Sequence, residues 1–379
     1  MASTAAVSEQ RVLEEFLELV RIDSVTFEEA AIARALEGKL RRLGFDVFND
    51  GTGPSTGNLI ARLPGTAAKG TPIVLNAHMD TVEPGRGIQP VVRDGIVRSS
   101  GDTILGGDCK APMAAILEGV RVALGMGMPR PDLEILFTYA EERSHLGARA
   151  LDLSHLGAKL CFSLDASKPI GTLISGAPGY YSLRAAFKGQ AAHAGVSPEK
   201  GVNALVAASR AIARMPLGRI DDETTANIGL IRGGTARNTV PALVEMEGEA
   251  RSRNDAKLVA QVEAMRGAIR EEATKLGVVP DLECKEEYRA YRHEPDSPVV
   301  LAASRALGRL GITPTLAPTG GGSDANDLNA KGLPAVVMGC GMVGTHTLEE
   351  SFAVANLVLL SRTVIELIAH ASELLLNEC

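Results

Sequence analysis

The sequence contains no tryptophan, and aromatic side chains make up only 3% of its 379 residues. Aromatic platforms on which nucleic-acid bases or sugar rings stack are therefore not expected. Basic residues are also few, with 39 Lys and Arg against 46 Asp and Glu, which gives a net charge of -7. No surplus of positive charge is present to neutralise phosphates, and this argues against nucleic acid or an anionic membrane as a partner.

Two further patterns are missing. The five cysteines are scattered without a C-x-x-C pair, which argues against a disulfide framework or a thiolate zinc site. No apolar run reaches the roughly 18 residues of a membrane-spanning helix, and the N-terminal stretch lacks the basic and apolar regions of a signal peptide. We therefore expect a cytoplasmic protein.

Short apolar runs alternate with amphipathic helical patterns, which is typical of α/β proteins. PIVLNAHMD, LEILFTYAEE, LCFSLDAS and LPAVVMGCG predict buried strands, SEQRVLEEFLELV predicts a helix capped by Ser8, and EESFAVANLVLLSRTVIELIAHASELL predicts a long closing helix. Between about 174 and 288, strands alternate polar and apolar residues between amphipathic helices. We predict an α/β fold with a mixed sheet over residues 1–173 and 289–379, interrupted by an α+β domain over residues 174–288.

The stretch VVMGCGMVGTH contains a G-x-G-x-x-G pattern at Gly339, Gly341 and Gly344, which is also the fingerprint of dinucleotide-binding turns. Such a turn begins a βαβ unit and is followed about 20 residues later by an acid. Only one long predicted helix follows here. The pattern therefore argues against the alternative of an NAD-dependent oxidoreductase, and we interpret the glycines as the lead-in to His346.

Residues that bind metals or move protons end four separate predicted strands: His78, Glu141 with Glu142, Asp165 and His346. In open α/β sheets the carboxyl ends of strands line the active site. Asp108 joins this set from the glycine-rich turn GDTILGGDCKAP, and Asp80 follows His78 by two residues. Five carboxylates and two imidazoles in one cavity would repel one another unless cations are bound.

Histidine and carboxylate ligands without cysteine favour a pair of catalytic divalent ions, zinc first among them. We assign His78 and Asp165 to one ion, Glu142 and His346 to the other, and Asp108 as the bridge between them. Each ion then keeps an open position for water and substrate.

Two acids of the set remain beyond these five ligands. The Asp80 carboxylate is expected to orient the ring of His78. Glu141 is expected to act as the general base that takes a proton from the attacking water.

Eight segments, in this order and spacing, resemble the co-catalytic zinc exopeptidase family, which includes peptidase T, carboxypeptidase G, aminoacylase, acetylornithine deacetylase and succinyl-diaminopimelate desuccinylase. The resemblance covers nearly the whole chain and is strongest to the peptidase T-like branch. The segments are LNAHMDTV, GDTILGGDCKAPMAAIL, TYAEERSHLGAR, GQAAHAGVSPEKGVNAL, GGTARNTVP, EGEARS, GGGSDANDLNAKGLP and GTHTLEE.

The resemblance implies a zinc-binding catalytic domain with an inserted lid domain, acting on small peptides as a tripeptide aminopeptidase and forming a homodimer through the lid in some members. It also implies that His193 meets the substrate carbonyl and that Asn238 holds substrate. An arginine of ARSR has the same role; Arg253 is our choice and Arg251 the alternative. A glycine loop around Gly321 lies beside the substrate.

The sequence departs from the family pattern at Cys109 and Pro112, beside the bridging aspartate. An N-acyl amino acid deacylase or carboxypeptidase of the same family remains an alternative, because such enzymes need the same metal centre. A non-catalytic binding protein is a more remote one. Four further histidines carry no such context and are interpreted as surface or packing residues: His145, His155, His293 and His370.

Overall fold

The computed structural model describes residues 6–67 and 69–371. The chain divides into two compact units, each with its own hydrophobic core. The first consists of Met1–Ser175, His293–Pro318 and Ser323–Cys379, and the second of Gly176–Arg292 with Thr319–Gly322. That the inserted region works as a lid stays a prediction.

The helices of the first unit lie before and after the inserted segment. They are α1 (Glu9–Val20), α2 (Ala30–Arg42), α3 (Gly107–Gly125), α4 (Leu146–Ala150), α7 (Pro298–Arg309), α8 (Asp324–Ala330) and α9 (Val354–Ala371). As the sequence predicts, Ser8 caps α1, where its hydroxyl accepts the backbone N–H of Arg11.

The main sheet of the first unit is mixed, which confirms the predicted fold class. Its strands are β1 (Asp46–Asn49), β2 (Leu59–Leu63), β3 (Ile73–His78), β6 (Leu133–Thr138), β7 (Leu160–Ala166), β8 (Thr172–Ala177), β15 (Thr315–Pro318) and β16 (Ala335–Gly339). They follow the order β1-β2-β6-β3-β7-β16-β8, with β15 also paired to β8. Every residue of β3 and β6 is buried, as expected for strands covered on both faces.

A second sheet of the first unit corrects the predicted start of the closing helix. Its strands are β4 (Pro90–Arg93), β5 (Ile96–Ser99) and β17 (Ser351–Ala353). β17 pairs antiparallel with β5 and buries Phe352, so α9 begins at Val354 rather than at Glu349. Long-range pairing overrides the helical pattern here. The last four residues of the predicted helix lie outside the described residues.

Helix α9 crosses α3 in the core of the first unit. A β-carbon on Gly119 of α3 would lie 2.6 Å from Val364 of α9, so the two helices approach more closely than a larger residue would permit. Contrary to the expectation from sequence, α9 is long and apolar enough to span a membrane; it is the single such helix among the described residues, and 56% of it is buried inside the protein. Buried core helices of soluble proteins pass the same test.

The second unit packs two helices, α5 (Ala204–Arg214) and α6 (Asp255–Lys275), against an antiparallel sheet. The strands are β9 (Gly179–Lys188), β10 (Gly218–Arg219), β11 (Thr224–Gly233), β12 (Leu243–Ser252) and β13 (Val279–Tyr288), in the order β10-β11-β12-β9-β13. The short strand β14 (Tyr291–Arg292) pairs with the end of β8. Alternate exposed and buried residues along β12 match the predicted half-solvated sheet.

Candidate metal centre

Four neighbouring strands of the main sheet run parallel and end at one edge, in the order β6-β3-β7-β16. His78 is the last residue of β3, and Asp165 lies one residue before the end of β7. Glu142 follows β6, and His346 follows β16. The carboxyl ends of these strands thus bring the predicted ligands together.

The first cluster forms around His78, which is buried. Its Nε2 lies 3.0 Å from Asp108 Oδ1 and 3.5 Å from Asp165 Oδ1. Its Nδ1 lies 2.9 Å from the backbone carbonyl oxygen of Asp80. Since a carbonyl only accepts, Nδ1–H donates to it, and Nε2 is the ring nitrogen that could bind a metal ion.

The second cluster forms around His346, which has a positive φ of 64°. Its Nε2 lies 2.8 Å from Glu142 Oε1 and 3.5 Å from Asp108 Oδ2. Asp108 therefore presents one carboxylate oxygen to each histidine. In each cluster the possible ligand atoms lie within 4.8 Å of one another, so each cluster could hold one metal ion.

Asp108 lies at the start of α3, in a segment with non-helical backbone angles and a cis peptide bond to Cys109. Glu350 holds this segment: its Oε2 accepts the N–H groups of Leu105 and Gly106 at 2.8 Å, and its Oε1 accepts that of Asp108 at 3.0 Å. Cys109 is buried, and its thiol donates to the carbonyl of Leu164, which fits a packing role. Sequence reasoning missed Glu350, although its position four residues after His346 in THTLEE was a usable signal.

Several ionisable groups of the two clusters have shifted pKa values. Burial raises the pKa of Asp165 and, well above its usual range, that of Glu141, where the charge of Asp165 adds to the effect. Hydrogen bonds to Asp108 and Glu142 raise the pKa of His346 to about 10. Burial opposes the charged form of His78, but the surrounding negative groups outweigh it and raise its pKa. Cations stabilise such a site, and the nitrogen and oxygen donors suit a catalytic divalent metal.

Asp80 does more than the sequence predicts. Its carboxylate accepts the backbone N–H groups of Glu141 at 2.9 Å and Glu142 at 3.2 Å, and the hydroxyl of Thr26 at 2.8 Å. Its Oδ1 lies 3.5 Å from His78 Nδ1, so the backbone carbonyl of Asp80 makes the closer contact with that ring. Asp80 thus orients the histidine through its main chain and the two glutamates through its side chain.

Comparisons with known proteins identify related peptidases. Two family profiles match: "Peptidase family M28" over residues 58–170 and "Peptidase dimerisation domain" over residues 175–276. The chain is 42% identical to the uncharacterized protein YqjE of Bacillus subtilis over 371 residues, which cover 97% of this chain and 100% of YqjE.

Two solved structures are also similar. The aminopeptidase PepT of Bacillus cereus is 41% identical, with a TM-score of 0.90 over 96% of this chain and 99% of PepT. A tripeptidase of Staphylococcus aureus is 36% identical, with a TM-score of 0.93 over 97% and 100% of the two chains. This chain belongs to the peptidase T-like branch of the co-catalytic zinc exopeptidase family. The predictions of family and of a peptidase are confirmed.

The second unit of this peptidase carries the residues that the family resemblance assigns to substrate. His193 forms a β-bridge with Thr239, and the carbonyl of Asn238 accepts the N–H of Ala194 at 2.9 Å. Both His193 and Asn238 are exposed. The structure therefore places these two predicted residues on adjacent backbone segments.

The two candidate arginines of this unit have different surroundings. The guanidinium of Arg251 lies 4.7 Å above the ring of Tyr180, pairs with Glu249, and approaches the Tyr288 hydroxyl at 3.5 Å. Arg253 instead donates to the carbonyl of Asp222. Gly321 is exposed, and a β-carbon on its neighbour Gly322 would lie 2.5 Å from the Tyr288 ring.

The structure also bears on two further interpretations from the sequence of this peptidase, the glycine pattern before His346 and the role of His145. After Gly339 the chain runs through Gly341 and Gly344, both with positive φ, to His346 and strand β17. No helix follows directly, so the path is not that of a dinucleotide-binding turn. His145, interpreted from sequence as a surface or packing residue, is buried beside Glu141.

Proposed function

We propose that this peptidase is an aminopeptidase with two divalent metal ions, zinc by preference, that removes the N-terminal residue of short peptides, tripeptides among them. The observation that carries the proposal is the shared carboxylate of Asp108, whose two oxygens face two separate histidine clusters. The likeness to an aminopeptidase and a tripeptidase along nearly the whole chain supports the reaction type.

His78 and Asp165 would hold one ion, Glu142 and His346 the other, with Asp108 between them. Bound there, divalent ions supply Lewis acidity that polarises the scissile carbonyl and makes water a better nucleophile. The buried Asp80 fixes both sides of this site, through His78 and through the backbone of the two glutamates.

Glu141 is the group we propose for proton transfer. It is only 8% exposed, and burial raises its pKa well above that of a free carboxyl. A carboxylate with a raised pKa accepts a proton from the attacking water more readily, and it returns that proton to the leaving amine. We propose that His193 stabilises the negative oxygen that develops on the carbonyl.

For the arginine that holds substrate, the contacts support Arg251 rather than Arg253. Arg251 and Gly322 share Tyr288 as a neighbour, so Arg251 belongs to the cluster that includes the glycine loop. Stacking on an aromatic ring also fixes a guanidinium in advance of binding. We expect Arg251→Ala to raise KM for tripeptides and Arg253→Ala to leave it nearly unchanged; the opposite result would restore Arg253.

We also propose a homodimer through the second unit, because residues 175–276 match a peptidase dimerisation domain. The molar mass from light scattering checks this: a value near that of one 39.7 kDa chain at micromolar concentration would contradict it.

The activity is tested with three matched peptides: trialanine, its N-acetylated form and its C-terminal amide. The metal content of the purified protein is measured first, and cleavage is followed before chelation, after chelation and after metal return. We expect release of N-terminal alanine from trialanine, no cleavage of the acetylated peptide, and loss of activity on chelation. Cleavage of N-acyl substrates alone would favour the deacylase or carboxypeptidase alternative. No cleavage by fully metal-loaded protein would favour a binding protein.

The role of Glu141 has its own test. The variant Glu141→Gln keeps the size of the side chain but cannot accept the proton. We expect turnover to be lost while the metal content equals that of the wild type. Near-normal activity of this variant would show that the proposed proton transfer is wrong.

A further inference from the structure

A histidine outside the ligand set lies against the proposed base. His145 Nε2 is 3.6 Å from Glu141 Oε1, and its Nδ1 is 3.1 Å from Asp327 Oδ2. His145, Asp327 and Glu141 are all nearly buried, with exposed fractions of 4%, 9% and 8%, respectively. The imidazole thus lies between two carboxylates that come from separate parts of the first unit.

The backbone between Ala140 and His145 forms a tight turn that positions the His145 ring. The N–H of His145 donates to the carbonyl of Glu141 at 2.8 Å and closes a single turn after β6. Three residues here have positive φ, a backbone conformation that residues other than glycine rarely adopt: Ala140, Ser144 and His145. Backbone of this kind persists where the surrounding structure holds it, and it concentrates at functional sites.

The hydrogen bond to Asp327 fixes the orientation of the His145 ring. The Asp327 carboxylate accepts, so Nδ1–H of His145 donates to it. That bond fixes the ring plane and turns Nε2 toward Glu141, where an N–H on this nitrogen would attract the carboxylate. Asp165 and Glu142 lie near Glu141 as like charges, and an otherwise unsupported carboxylate is repelled by them.

We propose that His145, anchored by Asp327, is a positioning residue that holds the Glu141 carboxylate in the orientation needed for proton transfer. The inference rests on the proposed role of Glu141. It adds a buried Asp327–His145 pair as the support of that side chain.

The competing explanation is that the pair only joins α4 to α8. Arg149, which lies in α4, makes a comparable link, because its Nε lies 3.8 Å from Asp327 Oδ1. Arg149→Ala loosens that joint without altering the His145 side chain, and it therefore serves as the matched control.

Two variants of His145 separate its two contacts. In His145→Asn the amide can replace Nδ1 toward Asp327 but does not reach Glu141; in His145→Gln the amide can replace Nε2 toward Glu141. We expect His145→Asn to lower kcat by roughly 10-fold to 100-fold with KM and metal content unchanged. We expect His145→Gln to lose less, and Arg149→Ala to stay within about twofold of wild type.

These outcomes decide the proposal. It is overturned if His145→Asn keeps a normal kcat, if His145→Gln is the slower of the two, or if Arg149→Ala lowers kcat as much as His145→Asn. Thermal unfolding of each variant shows whether it is folded. If His145→Asn is not folded, the test compares the kcat of His145→Gln with the kcat of Asp327→Asn. Equal losses of kcat in these two variants would overturn the proposal. Glu141→Gln separates the two levels, because full activity there removes the proposed role of Glu141, on which this inference rests, whatever the His145 variants do.

Discussion

Glu350 fixes the backbone of Asp108: its carboxylate accepts the Asp108 N–H at 3.0 Å and two preceding N–H groups of the same loop. The contact joins residues 242 positions apart in sequence. A bridging carboxylate works only if both oxygens keep their directions, so the support of its main chain matters as much as its own identity.

Replacing Glu350 with Gln should therefore weaken metal binding at both positions. The glutamine turns an N–H₂ group toward backbone N–H donors, and the loop of Asp108 loses at least one hydrogen bond. We expect the affinity for zinc to fall roughly 10-fold to 100-fold, measured by competition with a chromogenic chelator. The matched control is Glu349→Gln, since Glu349 is the exposed neighbour; equal affinities of the two variants would contradict the expectation.

Metal stoichiometry tests the sharing of Asp108. Asp165 belongs to the His78 cluster alone, whereas Asp108 contacts both histidines. We expect Asp165→Asn to keep the ion of the His346 cluster and to bind about half the wild-type amount of metal. Asp108→Asn should bind less than Asp165→Asn at every zinc concentration. Elemental analysis after dialysis measures both, and equal losses would argue against a bridge.

Helices α3 and α9 pack closely against each other at Gly119. A β-carbon on Gly119 would lie 2.6 Å from Val364 and 2.7 Å from the carbonyl oxygen of Ser361. We expect Gly119→Ala to reduce the free energy of unfolding by about 1–3 kcal/mol, because it overpacks the contact. Gly267→Ala is the control: nothing lies within 4 Å of that position in α6, and the variant should gain about 0.5–1 kcal/mol. Urea unfolding monitored by circular dichroism measures both.

His293 should make stability depend on pH. Burial lowers the pKa of its imidazole below the usual 6.5, while the hydrogen bond of Nε2 to the carbonyl of Ala335 opposes the shift. The unfolded chain then binds the proton more readily, so this contribution is complete above about pH 6.5 and is lost as the pH falls toward the folded pKa. The amide of His293→Gln can still donate to Ala335 but does not titrate.

We therefore expect wild type to lose more stability than His293→Gln between pH 7.5 and 5.5. Metal-free protein is compared, so that titration of the ligand cluster is common to both. A difference in the free energy of unfolding that stays constant over this range would contradict the assignment.

The sequence predicted those parts of the molecule that depend on local pattern. Buried strands that end in polar residues identified the parallel strands and, through the rule that such ends meet, the cluster from His78 to His346. It missed Glu350 and the pair of His145 with Asp327, because these contacts join residues 242 and 182 positions apart. No periodicity records such pairings. The start of α9 was wrong for a similar reason, since pairing of β17 with a distant strand decides it.

The order of the strands has a consequence for how this protein is made. β16 is synthesised after the entire second unit, yet it hydrogen-bonds between β7 and β8, which are synthesised before it. While the ribosome is still synthesising the second unit, β7 therefore presents an unpaired edge that is open to pairing with other nascent chains. Shielding of that edge until β16 leaves the exit tunnel would protect the growing polypeptide from such pairing.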